Sequence, residues 1–312
     1  MVKLEAPRGR NDFIDLQMAV SVPSGQRVIG VGELIREWQA QGRDHFLYRS
    51  GRPIPFRFGL SAARYQKRVV NYKGKKIEVY YHSRHFENVN KLIRNACRTM
   101  DYCQSNFGPY PFKTIRFAEV SSFTDGFAGT AYPAAIFMTE HLLFHNNLPG
   151  DKGQDVINEL AAHELSHQWW GTSQLAPDER EGSKILTETL AMYTELMLAK
   201  HLVGPAAVIE KLAVHEAIYL SEVGLTEENP LLKVNSGDTH LYYSKGLLVM
   251  AKLEQLIGEE NVNKALRNLL RKHAYPLAPP VASDLLNELY QVSDSSLHTQ
   301  IDDLFLKIKS DK

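Results

Sequence analysis

Apolar and polar positions change their period along this chain, and the change divides it into a strand-rich first part and a helix-rich second. From Phe13 to about Tyr81 short alternating runs are broken by turns, as in Arg27-Val-Ile-Gly-Val31, Phe46-Leu-Tyr48 and Lys76-Ile-Glu-Val-Tyr-Tyr81. A period of two marks half-buried strands, and Tyr72-Lys-Gly74-Lys75 carries the turn chemistry of a hairpin tip. Between Phe86 and Asn106 the spacing becomes helical, through Leu92, Ile93, Ala96 and Met100. Lys113–Glu119 and Ala134–Met138 read as further strands around a Gly-rich passage, and after Asp155 almost every apolar position repeats at helical spacing. Strands first and helices afterwards predict an α+β fold.

Composition narrows the function classes. With 44% apolar and 23% charged residues the chain is globular. Lys+Arg and Asp+Glu both number 36, so no bulk field attracts nucleic acid, and no nucleic-acid partner is expected. Arg64, Lys67, Arg68, Lys73, Lys75 and Lys76 alternate with apolar positions and read as a solvated strand face. No run approaches the roughly 18 to 20 apolar residues of a bilayer span, so no membrane segment is expected in this sequence. Cys97 and Cys103 are six residues apart on a helical stretch, about 9 Å of rise, too far for a disulfide. Two cysteines without a CxxC cannot build a Cys-based zinc knot.

The candidate chemistry lies at His163-Glu164-Leu165-Ser166-His167, inside the helical run that begins near Val156. On a helix the two imidazoles stand about 40° apart, with Glu164 within about 100° of both. Such a pair can hold one metal ion while the carboxylate beside it takes a proton from water. The motif alone leaves open a pair of core histidines satisfied by backbone carbonyls. A catalytic zinc site needs a third protein ligand, for which a carboxylate is an established choice. Glu188, flanked by Leu186, Leu190 and Ala191 at the start of the next helical stretch, is the reading favoured here. Glu179 and Glu181 lie in a hydrophilic loop and read as solvated. Glu195, seven residues beyond Glu188, is either an acceptor for a ligand imidazole or a surface carboxylate.

Three segments together resemble a known family. His163-Glu-Leu-Ser-His167-Gln-Trp169-Trp170-Gly171, Leu186-Thr-Glu188-Thr-Leu-Ala-Met-Tyr193 and Tyr243-Ser-Lys245-Gly246-Leu-Leu248 look like the gluzincin metallopeptidases of the M1 aminopeptidase family, in that family's order. The resemblance implies a thermolysin-like zinc peptidase domain over residues 86–312, preceded at 1–85 by the end of a β-rich N-terminal domain. It implies a peptide substrate and one Zn2+ per chain, held by His163, His167 and Glu188. Glu164 becomes the general base and Tyr243 the donor to the oxyanion, with Tyr242 as a rival ring. More narrowly, Pro53-Ile-Pro-Phe-Arg-Phe-Gly59 with Val79-Tyr-Tyr-His82-Ser-Arg-His85 is similar to the M1-like portion of bacterial membrane proteins related to ABC-type permeases. That likeness implies that this chain is a soluble segment of a larger membrane protein.

The sequence departs from the family's pattern twice. Twenty residues separate His167 from Glu188, where the family has eighteen. Eighteen would bring in Leu186, which cannot ligate, so the two extra residues are assigned to the loop 172–183. The family's Gly-x-Met-Glu-Asn strand corresponds to Gly126-Phe-Ala-Gly129-Thr-Ala-Tyr132. Gly129, Thr130, Ala131 and Tyr132 are expected to bind substrate as an added strand, but the carboxylate that holds the substrate's free amine is absent. Asp125 and Glu119 are nearby acids that no spacing argument places. Weak discrimination between free and blocked N-termini is therefore expected. A zinc-containing peptide-binding module with little turnover, within a larger membrane assembly, is the alternative, and a helical scaffold without metal is a third reading.

Overall fold

The computed structural model describes residues 12–122, 128–145, 156–225 and 228–308. The chain divides into two compact units, one built from Asp12–Asp101 with Tyr110–Gln168 and the other from Tyr102–Pro109 with 169–308.

The first unit opens with seven strands: β1 (Phe13–Ile14), β2 (Gln17–Pro23), β3 (Arg27–Gly30), β4 (Glu33–Ala40), β5 (Arg43–Arg49), β6 (Ile54–Pro55) and β7 (Leu60–Ala63). Strands β2, β5 and β4 form a three-stranded antiparallel sheet, β1 pairs with β6, and β3 with β7. The alternation read from the sequence has its cause in β5, where Asp44, Phe46 and Tyr48 are buried and Arg43 and Arg49 are exposed at its ends. Phe46 and Tyr48 pack there with Val22 and Val28.

A five-stranded sheet follows, from β8 (Gln66–Tyr72), β9 (Lys75–Tyr81), β10 (Thr114–Val120), β11 (Gly129–Tyr132) and β12 (Ala135–Thr139), in the order β11-β12-β10-β9-β8. The β8–β9 hairpin turns on Lys73 and Gly74, with φ of 47° and 77°, the double positive φ of a type I′ turn. Strands β9, β10 and β12 run parallel, and β8 and β11 close the edges antiparallel. A parallel connection needs a crossover, which α1 (Val89–Asn106) supplies between β9 and β10. Six of the seven β10 residues are buried, as befits a central strand. Three of the basic residues of this region have partners within the unit. Lys67 pairs with Glu78 at 2.9 Å and Lys73 with Asp101 at 2.6 Å, while Lys75 donates to the carbonyls of Tyr110 and Phe112. The unit ends with α2 (Val156–Ser166), which packs on β11.

The second unit is helical. A π-helical turn, Ile185–Thr189, runs into α3 (Leu190–Leu202), then α4 (Pro205–Glu222); a second π-helical turn, His240–Lys245, runs into α5 (Gly246–Ile257), and α6 (Glu259–His273), α7 (Ala282–Val292) and α8 (His298–Leu306) follow. Every residue of α3 from Leu190 to Leu198 is buried, so this helix is the centre of its unit. Helix α6 is amphipathic, with Glu259 and Glu260 in its first turn and Arg271, Lys272 and His273 in its last, the arrangement the helix dipole favours. Strands followed by helices make the fold α+β. Cys97 and Cys103 are free thiols on α1. Among the described residues no helix is long and apolar enough to cross a membrane.

Candidate metal centre

Helix α2 stops at Ser166, so His167 stands in the turn just beyond it. Ser166 Oγ donates to His163 O at 2.7 Å and Gln168 N to Leu165 O at 3.0 Å, which satisfies carbonyls that the helix end leaves unpaired. The rings of His163 and His167 still face each other, with centroids 4.9 Å apart and planes at 87°. His163, Glu164 and His167 are 8%, 6% and 7% exposed, sheltered but reachable.

Two contacts fix this helix end against the edge strand. A Cβ placed on Gly129 would stand 3.1 Å from Glu164 Cδ and Oε1, so a glycine is what lets β11 run this close to the carboxylate. Gln168, next to the motif, uses both ends of its amide. Its oxygen accepts from Ala134 N at 3.0 Å and its nitrogen donates to Tyr132 O at 3.0 Å, clasping the Pro133–Ala134 turn between β11 and β12. Ala134 holds φ +61° there, a left-handed conformation that favours glycine. Of the expected substrate strand, Gly129, Thr130 and Tyr132 are half-buried and Ala131 is buried. Arg57 donates to Thr130 Oγ1 at 3.1 Å and lies over the Tyr132 ring. Asp125 and Gly126 lie outside the described residues. Glu119 is buried and committed to His82 and His85.

Glu188 sits on the π-helical turn Ile185–Thr189, and glycines press on both of its neighbours. A Cβ on Gly171 would stand 2.8 Å from Thr187 Cγ2, and one on Gly246 would stand 2.6 Å from Thr189 Oγ1. Thr189 Oγ1 in turn donates to Tyr242 O at 2.5 Å. These close approaches give a physical reason for the glycines that end Trp169-Trp170-Gly171 and Tyr243-Ser-Lys245-Gly246. Tyr243 OH donates to Glu188 Oε2 at 2.8 Å, whereas the Tyr242 phenol donates to Ser236 O at 3.3 Å. Burial, then the carboxylates of Glu188 and Asp238, raise the Tyr242 phenol above its ordinary value. Lys245 is buried, pairs with Glu228 at 3.5 Å and donates to Ile308 O; burial lowers its ammonium below the usual lysine range, against the pull of Glu228.

His163 and His167 supply two imidazoles from the first unit, and Glu188 supplies a carboxylate from the second. Two imidazole nitrogens and a carboxylate oxygen form a donor set suited to zinc. Glu179 and Glu181 are exposed, as their hydrophilic loop suggests. Glu195 is 5% exposed and ion-paired with Lys211, so it is no surface carboxylate: α3 is buried on all sides and offers none. Sequence reasoning saw Gln168, Gly171 and Gly246 as letters of motifs and missed their contacts. The signal was their fixed place beside reactive residues.

Comparison with known proteins bears on the same segments. Residues 92–306 match the peptidase family M1 domain. Aminopeptidase M1-D of Oryza sativa subsp. japonica is 25% identical over 192 residues, 59% of this chain and 21% of that protein. Endoplasmic reticulum aminopeptidase 2 of Homo sapiens is 22% identical over 211 residues, 65% of this chain and 22% of that protein. The chain therefore spans about a fifth of the length of these relatives. The M1 zinc metallopeptidase from Deinococcus radiodurans shares the fold with a TM-score of 0.74 at 16% identity, over 96% of this chain and 65% of that one. A mutant M1 zinc metallopeptidase from the same organism, bound to a Tyr-Ser-Ala substrate, gives 0.72 at 16% identity, over 96% and 65%. These matches carry no support for the narrower likeness to permease-related membrane proteins. With its motifs in order and the matched domain covering more than half its length, the chain belongs to peptidase family M1.

Proposed function

We propose that this chain carries the catalytic part of a zinc-dependent, aminopeptidase-like peptidase, with residues 86–312 as its thermolysin-like domain. His163, His167 and Glu188 hold a single Zn2+, Glu164 is the general base, and Tyr243 is the oxyanion donor. The observation that supports this most is the facing pair of imidazoles, His163 and His167, with ring centroids 4.9 Å apart at the end of the helix that carries Glu164. Zinc, when bound, supplies a Lewis acid that polarises the scissile carbonyl and acidifies water. Glu164 takes the proton of the attacking water and returns it to the leaving amine. The peptide lies along β11 as an added strand, beside Glu164, in the space a side chain at residue 129 would fill. Tyr243 has one phenolic proton, which rests on Glu188 Oε2. As the tetrahedral centre forms, its oxyanion is the better acceptor, so the donation strengthens in the transition state.

No residue from Gly129 to Tyr132 carries a carboxylate to hold a substrate amine. The test is hydrolysis of matched fluorogenic peptides with free and acetylated N-termini by the chelator-treated and Zn2+-reloaded chain. Turnover that returns with Zn2+ and differs less than about tenfold between the two substrate types is expected, a smaller gap than a dedicated polar contact gives. Peptide binding without turnover, in a chain that retains Zn2+, overturns the catalytic reading in favour of a binding module.

A further inference from the structure

We infer a second divalent-metal site, separate from the proposed catalytic centre and independent of it, formed by His85, Glu119 and Glu140. The sheet topology places it. Strands β9, β10 and β12 are adjacent and parallel, so their carboxyl ends lie together. His85 follows the end of β9, Glu119 is the penultimate residue of β10, and Glu140 is the first residue after β12. Crevices outside the carboxyl ends of parallel strands are where open sheets bind ligands.

The side chains meet there. One ligand atom from each residue lies within 4.8 Å of the others. His85 Nδ1 is 2.5 Å from Glu119 Oε1, Glu119 Oε2 accepts from His82 N at 2.7 Å, and Glu140 Oε1 accepts from Ser122 N at 3.3 Å. The rings of His82 and His145 flank His85, with centroids 4.9 and 4.8 Å away. Glu119 is only 5% exposed, and among the described residues neither it nor Glu140 pairs with a lysine or arginine. Even a protonated His85 cancels only half the charge of two carboxylates in mutual reach, and sheltered like charges repel strongly. The same sheet treats another buried carboxylate differently: Glu78 has Arg116 and Lys67 beside it. A divalent cation meets the charge that His85 leaves over. One imidazole nitrogen with two carboxylate oxygens suits Zn2+ or a neighbouring transition ion better than Ca2+ or Mg2+, which take oxygen donors alone. An ion here ties three strand ends together and holds the start of Glu140–Phe144, a turn that packs on α2.

The experiment titrates the whole, chelator-stripped chain with Zn2+ alone, read by calorimetry and elemental analysis. The His163→Ala/His167→Ala chain is expected to keep one equivalent. His85→Asn and Glu140→Gln on that background should each weaken it by more than about tenfold, a loss that even outer partners of a metal produce. Circular dichroism checks that each variant is folded. Should the double-alanine chain not fold, the comparison is made in the intact chain, where His85→Asn and Glu140→Gln should each remove a second equivalent and leave the first. A folded double-alanine chain that binds no Zn2+ overturns the site. So does binding that neither His85→Asn nor Glu140→Gln changes.

Discussion

The phenol of Tyr243 donates to Glu188 Oε2 at 2.8 Å across a separation of 55 residues in sequence. This bond joins two π-helical turns, Ile185–Thr189 and His240–Lys245, and orients a carboxylate proposed to bind zinc. Tyr243→Phe is expected to retain Zn2+ while turnover falls about 100- to 1,000-fold, the usual loss of an oxyanion donor. Because the interaction belongs to the transition state, kcat and kcat/KM should fall together. Tyr242→Phe gives up only a 3.3 Å bond to Ser236 O and should stay within a few-fold of the parent. Steady-state kinetics on both variants check this, and a larger loss from Tyr242→Phe would reverse the assignment.

Glu164→Gln keeps the shape beside Gly129 and removes the base. Zn2+ content and melting temperature should be unchanged, while turnover drops about 100- to 10,000-fold. Activity within a few-fold of the parent, after contaminating peptidases are excluded, defeats the proposed mechanism.

Gly246→Ala drives a methyl to 2.6 Å from Thr189 Oγ1. Overpacking of this kind costs about 1 to 3 kcal/mol, and here the strain falls on the turn that carries Glu188. Lower stability and weaker Zn2+ retention are expected together. Thr189→Ala removes the atoms in the way, so the double variant should recover more stability than the two single changes predict when added. Urea unfolding of the four chains reads this directly, and strict additivity counts against the contact.

Acid stability has an assignable contributor in Glu78. Burial alone would raise this carboxyl, but Arg116, Lys67 and Tyr80 outweigh it and hold the carboxyl below its ordinary 4.5. A folded pKa below the unfolded one means that the stabilisation is complete above the unfolded value and is lost as pH falls through the folded one. Stability measured by urea unfolding should therefore decline below about pH 4.5. In Glu78→Gln that part of the decline should flatten, with lower stability at neutral pH because Arg116 loses a counter-charge. An unchanged acid limb would remove Glu78 from the account.

Most of the strand and helix content was legible because a half-wet face writes its period into the sequence, as β5 and α6 do. The pairing of β9, β10 and β12 was not, since strands covered on both faces are buried nearly throughout and their residues do not name a neighbour. Nor were the π-helical turns under Glu188 and Tyr243: one widened turn barely alters the spacing on either side. The motif gave His163, Glu164 and His167 by number, and side-chain chemistry favoured Glu188 where the family's spacing would have brought in Leu186. The irregular stretch before Ile185 can take in the two extra residues. Glu195 shows the reverse case, where its distance from Glu188 suggested a face and the all-round burial of α3 decided its partner.

The parallel run of β9, β10 and β12 also sets an order of assembly. The β8–β9 and β11–β12 hairpins have two-residue connections, and hairpins close in about 1 to 10 μs. Joining β9 to β10 waits for a long excursion of chain to close, whose entropy must be met before any pairing offsets it. During synthesis all five strands of the sheet precede α2. The turn at Pro133–Ala134 can thus be in place before Gln168 leaves the ribosome to grip it.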